Sequence, residues 1–215
     1  MREYSQEETE RFTKIYRDLQ STIEYTRSER MFHKLLEEAL KEGYPLNYVP
    51  EDDCSSPLLN IAILQGKKEM IQILLDAGVD ANLKDNDGRN ALMVACDKVY
   101  RHSFNIPLIK ELIARTTDLN EKERWGPNAL QMLVRNYLQT GFEGLLNCIE
   151  DIIKNGSDPS VLTGLLRNLS TAPPYKDNLE KLNKLLARLQ IRSQIKEQLS
   201  RSTANAPEID FDYEL

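Results

Sequence analysis

Two histidines (His33, His102), three cysteines (Cys54, Cys96, Cys148) and the acidic run Asp85-Asn86-Asp87-Gly88 are the places where this 215-residue chain offers residue types suited to chemistry. A thiol nucleophile needs a base within hydrogen-bond reach, and Cys96 with His102 is the one pair that sequence proximity suggests. No Cys/His cluster has the spacing of a zinc site. The acidic run resembles part of a calcium loop, but Leu83 stands at the first ligand position and Val94 where a bidentate Glu is required. It reads instead as a tight turn. The nine glycines are scattered, mostly at turns, so no phosphate-cradling loop is present. An odd number of widely spaced cysteines suits reduced thiols rather than a disulfide framework. The expectation is therefore a chain with no catalytic residues, no metal and no cofactor.

Bulk properties narrow the partners. Apolar residues make up 40% and charged residues 29%, a globular rather than disordered composition. The net charge is −6 and Lys and Arg are spread among acids. A phosphate-binding surface would gather them in a stripe, so nucleic acid is not expected as a partner. No run reaches the ~18 apolar residues of a membrane span. The segment Met1 to Glu8 lacks the basic and apolar regions of a secretory signal, which leads to an expected cytoplasmic location.

The organising signal is internal repetition. Leu59-Asn60-Ile61-Ala62 returns as Leu92-Met93-Val94-Ala95, 33 residues later. Ile73 to Asn82 returns as Glu111 to Asn120, and Gly88-Arg89-Asn90-Ala91-Leu92 as Gly126-Pro127-Asn128-Ala129-Leu130, both at an offset of 38. Each unit reads as two short helices followed by an extended finger with a tip at Gly88 or Gly126. Gly78 and Gly156 fall just past helix ends, where a left-handed conformation closes the last turn. Ala62 and Ala95 are small where paired helices approach. One such unit cannot bury its own apolar face, so units must stack.

This pattern resembles the ankyrin family, whose unit is about 33 residues with a T-P-L-H-x-A signature. Pro57-Leu58-Leu59-Asn60-Ile61-Ala62 stands at the signature in the best copy. The resemblance implies an all-α type solenoid of three repeats, 52–84, 85–122 and 123–162, with about five extra residues within Val99 to Pro107 and a second lengthening around Tyr137 to Gly144. The signature Thr-Pro and His are replaced in every copy, and Thr116 stands where the first copy has Gly78. Cys96 falls at a small, buried position of a first helix, which favours a structural thiol over a nucleophile.

Such arrays generally bind a partner protein through finger tips and the concave face of the first helices. Carried onto this sequence, the outward positions are Asp53 and Ser56 in the first repeat. They are Asn86, Asp87, Arg89, Asp97 and Lys98 in the second, and Arg124, Trp125, Arg135 and Asn136 in the third. Trp125, the only tryptophan, beside Arg124 has the composition of a binding hot spot. Arg89, Arg124 and Arg135 are then expected to meet acidic groups of the partner.

Residues 1–47 read as an N-terminal helical cap, with Phe12, Ile15, Tyr16, Leu19 and Ile23 on one face. Gly43-Tyr44-Pro45-Leu46-Asn47 imitates the helix exits of the repeats. Residues 163–201 read as a C-terminal cap, and 202–215 as an acidic tail ending Tyr213-Glu214-Leu215. The leucine stripe of the last helix also fits a dimer contact, so a monomer or weak homodimer is expected. The functional reading is a protein-protein interaction module, an adaptor, inhibitor or scaffold, and not an enzyme. Its style also fits a bacterial effector acting in a host cytoplasm. The alternative is a targeting domain of an enzyme.

Overall fold

A computed structural model describes residues 4–26, 28–52, 55–99, 105–124, 126–169 and 176–204. These form ten α-helices and one 3-10 turn: α1 Gln6–Tyr25, α2 Glu29–Lys41, α3 Leu58–Leu64, α4 Lys68–Asp76, α5 Ala91–Lys98, α6 Asn105–Arg115, α7 Ala129–Thr140, α8 Glu143–Lys154, the turn Pro159–Val161, α9 Leu162–Leu169 and α10 Lys176–Ala204. Helices stack in two rows. In the first, α1 packs on α3, α3 on α5 and α5 on α7. In the second, α2 packs on α4 and α6 on α8, while α4 and α6 meet less closely.

The rows differ in burial because only one is covered on all sides. In α3 every residue from Leu58 to Ile63 is buried, and in α5 every residue from Ala91 to Cys96. Second-row helices are amphipathic: α4 buries only Met70, Ile71, Leu74 and Leu75. Ala62 and Ala95 are fully buried where first-row helices approach.

The departures from the family signature have local explanations. Asn90 and Asn128, at the place of the signature Thr, cap α5 and α7 by accepting from the N–H groups of Met93 and Gln131. Asn60 and Gln131 occupy the signature His position. Their amides donate to the carbonyls of Arg89 and Val161, at 2.9 Å in both cases, tying each unit to the next. Met93, at the equivalent position between them, is a buried apolar residue.

Helix exits follow one plan. Gly78 is left-handed (φ +86°), and its N–H and that of Val79 donate to Leu75 and Leu74, closing α4. The same closure occurs at Gly43 and Gly156. The α6 exit lacks the glycine, and the Thr116 hydroxyl donates to the Leu112 carbonyl instead. An asparagine then latches each exit to the one before it. The Asn47 side-chain oxygen accepts from Asp80 N–H, that of Asn82 from Thr117 N–H, and that of Asn120 from Asp158 N–H, at 2.7 to 2.9 Å. Residues 28–47 therefore continue the repeat geometry instead of merely covering its end.

The lengthening in the third repeat is taken up by α7, 12 residues against 7 in α3. Its added turn buries Tyr137 and Leu138 and ends at the left-handed Gly141. This turn supports α10, which packs on α7 and α8 rather than forming a close pair with α9 alone. Leu182, Leu185 and Leu189 are buried there, and Asn178 donates to the Leu138 carbonyl. The helix runs to Ala204, two residues past the expected start of the tail. Residues 100–104 of the expected insertion within Val99 to Pro107, most of the tail, and the side chains of Ile195 and Leu199 lie outside the described residues.

Candidate functional site

Finger tips and first-helix ends of the second and third repeats form one polar edge. The second finger turns because the Asp85 carboxylate, itself 8% exposed, accepts from the N–H groups of Asp87 and Arg89. Gly88 there is left-handed and lies against the Arg124 backbone, whose N–H donates to the Asp87 carbonyl at 2.8 Å. Neighbouring tips are thereby joined through their main chains. In the third finger Lys122 and Asn128 form an antiparallel bridge.

The side chains on this edge are already paired. Arg89 lies 3.0 Å from Asp85 and 2.9 Å from Asp87. Burial works against the Arg89 charge, but the hydrogen bond and charge of Asp85 outweigh it and hold the guanidinium more firmly protonated than usual. At the first-helix ends Asp97 pairs with Lys98 at 2.8 Å and with Arg135 at 3.6 Å. Glu123 sits in the field of both groups. Its burial pushes the carboxyl up, Arg89 pulls it down, and Asp97 and Asp87 push it further up. The edge is a balanced network, not a basic patch.

Several sequence expectations change accordingly. Arg89 and Arg135 are not waiting for a partner's acids, because Asp85, Asp87 and Asp97 already meet them. Asn136 does not face outward: it is 4% exposed, and its amide donates to the Cys96 carbonyl at 2.7 Å, tying α7 to the end of α5. Asn86, Asp87 and Arg124 are exposed, whereas Arg89, Asp97, Lys98 and Arg135 are half-buried. Ser56 is half-buried, and its backbone both donates to and accepts from the Tyr16 hydroxyl. Asp53, Cys54, His102 and Trp125 lie outside the described residues. The sequence marks Asp85 as part of a turn but not as the partner of Arg89 four residues on, and nothing in it singles out Glu123.

Among the described residues, the remaining chemistry-bearing groups are placed as packing or surface residues. Cys96 and Cys148 are fully buried, and burial pushes the Cys96 thiol well up and that of Cys148 to about 11. His33 is exposed beside Glu37 on α2. Among the described residues, no group of three or more His, Cys, Asp or Glu is arranged to hold a metal. No helix among them is long and apolar enough to cross a membrane.

Paired helices in two rows, joined by fingers, define a helical repeat solenoid. A family model described as ankyrin repeats (three copies) matches residues 28–106, beginning inside the segment read from sequence as a cap. These residues of the chain therefore carry ankyrin repeats. The chain is also similar to the fibronectin type 3 and ankyrin repeat domains 1 protein of Mus musculus, 40% identical over 40 residues, which are 19% of this chain and 12% of that protein. A bacterial effector origin finds no support in these matches.

Proposed function

We propose that the chain is a binding module without catalytic activity, holding a partner protein along the edge formed by its second and third fingers and the ends of α5 and α7. The observation that carries this reading is the bond from Arg124 N–H to the Asp87 carbonyl, which ties two exposed tips together. A surface fixed before binding loses little conformational freedom on association, so modest contacts suffice. Ankyrin repeats are in general protein-binding modules, which fits such an edge. Its internal ion pairs favour a partner that brings hydrogen-bonding and apolar groups, with charge serving orientation more than affinity. In this role the protein acts as an adaptor, inhibitor or scaffold.

The test is capture of partners by the full chain and by an Arg124→Ala/Trp125→Ala variant whose helical content and melting are unchanged. A protein retained by the parent and lost by the variant supports the reading. Retention by both moves the contact away from this edge and overturns it.

A further inference from the structure

The N-terminal end carries a second surface, separate from the finger edge. Helix α1 has 20 residues where α3 has 7, and its added N-terminal turns run beside the stretch 45–52. The two are stitched through Tyr48, whose hydroxyl donates to the Thr9 carbonyl at 3.3 Å and shares a 2.8 Å hydrogen bond with the Thr13 hydroxyl. Between them lies a groove of about 850 Å³. Its wall belongs to an aromatic cluster in which Phe12 and Tyr44 are buried and Tyr4 and Tyr48 half-buried. The rings meet edge to face, with centroids 5.3 to 6.1 Å apart. Pro45 and Pro50 line the same groove, and its only charged lining residues among those described are Glu51 and Asp52, both exposed.

The geometry points to a docking groove for a proline-rich peptide segment that carries a basic residue at one end. Three features select that chemistry. Tyr4 and Tyr48, held in place by each other and by the buried rings behind them, line the groove with aromatic surface against which pyrrolidine rings pack. A proline-rich strand is extended before it binds and loses little freedom in a shallow, open groove. The acids gathered at one end attract Arg or Lys and so set the direction in which the strand lies. An acidic strand would meet like charge at the same place.

The full chain would be titrated with a synthetic proline-alanine decapeptide ending in two arginines, and with the same peptide ending in two glutamates, following backbone amide NMR shifts. Saturable shifts at Tyr4, Tyr48 and Glu51 with the arginine peptide are expected, with the glutamate peptide binding more weakly. Glu51→Lys, an exposed change that leaves the aromatic cluster in place, is expected to weaken the arginine peptide roughly fivefold, the size of one rim ion pair. Equal binding of both peptides, insensitivity to Glu51→Lys, shifts confined to other surfaces, or no shift at millimolar peptide would each overturn the proposal. None of these outcomes depends on the finger edge, so each surface is tested separately.

Discussion

The two ends of the stack are finished in different ways. At the N-terminal end, α1 sinks Phe12, Tyr16, Leu19 and Ile23 into the core, and the Tyr16 hydroxyl is bonded twice to the Ser56 backbone. At the other end, α10 is laid on α7 and α8 by the leucines at 182, 185 and 189, and its flanks are held by Lys181 on Glu143 and Arg188 on Glu150. The first end is woven into its neighbour by apolar burial and main-chain hydrogen bonds. The second combines a narrow apolar stripe with one exposed ion pair and one whose acid is half-buried, contacts that contribute little in water. In a stack whose units touch only their neighbours, each end loosens on its own terms.

Tyr16→Ala is the largest intervention. It removes a fully buried aromatic side chain and strands the Ser56 backbone, and is expected to cost about 3–5 kcal/mol in urea unfolding. Leu182→Ala is expected to cost about 2–3 kcal/mol. Its hydrogen-exchange signature decides whether the ends are independent: faster exchange confined to α10 supports independence, and faster exchange in α1 breaks it. Asn82→Ala, midway between them, removes the acceptor for the Thr117 N–H and hydroxyl. Because these bonds are exposed, it is expected to cost about 0.5–1.5 kcal/mol and to uncouple the melting of the two halves, read as a broadened transition.

Alkaline pH acts on both halves. The folded pKa of Cys148 is about 11, raised by burial, and burial also raises that of Tyr16. Each folded value lies above the unfolded one, so the folded state keeps protons that the unfolded state releases. Stability is complete below about pH 8.5, near the unfolded thiol value, and falls as pH climbs toward 11. Cys148→Ala is expected to flatten that decline when melting is followed against pH. Smallest of all is Arg188→Ala, below ~1 kcal/mol, with the difference from the parent fading in high salt.

The periodic parts of this fold are legible in the sequence. Repeat offsets found the paired helices, Gly78 and Gly156 marked helix exits, Ala62 and Ala95 marked close approaches, and Gly88 a finger tip. The resemblance of Gly43-Tyr44-Pro45-Leu46-Asn47 to later exits was visible as well, but its latch to Asp80 crosses 33 residues and belongs to tertiary structure. The site was less readable because repeat alignment gives a direction, not a partner. Asn136 was placed outward by alignment, yet the lengthened α7 turns it toward a carbonyl at the end of α5. Arg89 and Arg135 read as available cations since nothing local shows which acids reach them.

The asparagine latches make the chain divisible. Asn47 and Asn120 grip the following exit at matching aspartates, Asp80 and Asp158, and Asn82 grips Thr117, one residue before the matching Asp118, while the larger length differences between units fall elsewhere: one insertion after α5, one turn added to α7. Cutting after Asn47 and rejoining at Leu83 would remove one unit and bring Asn47 to the Thr117 exit that Asn82 held. A chain shortened at this joint is expected to keep a latch at its seam, with Asn47 accepting from the Thr117 N–H in place of Asn82.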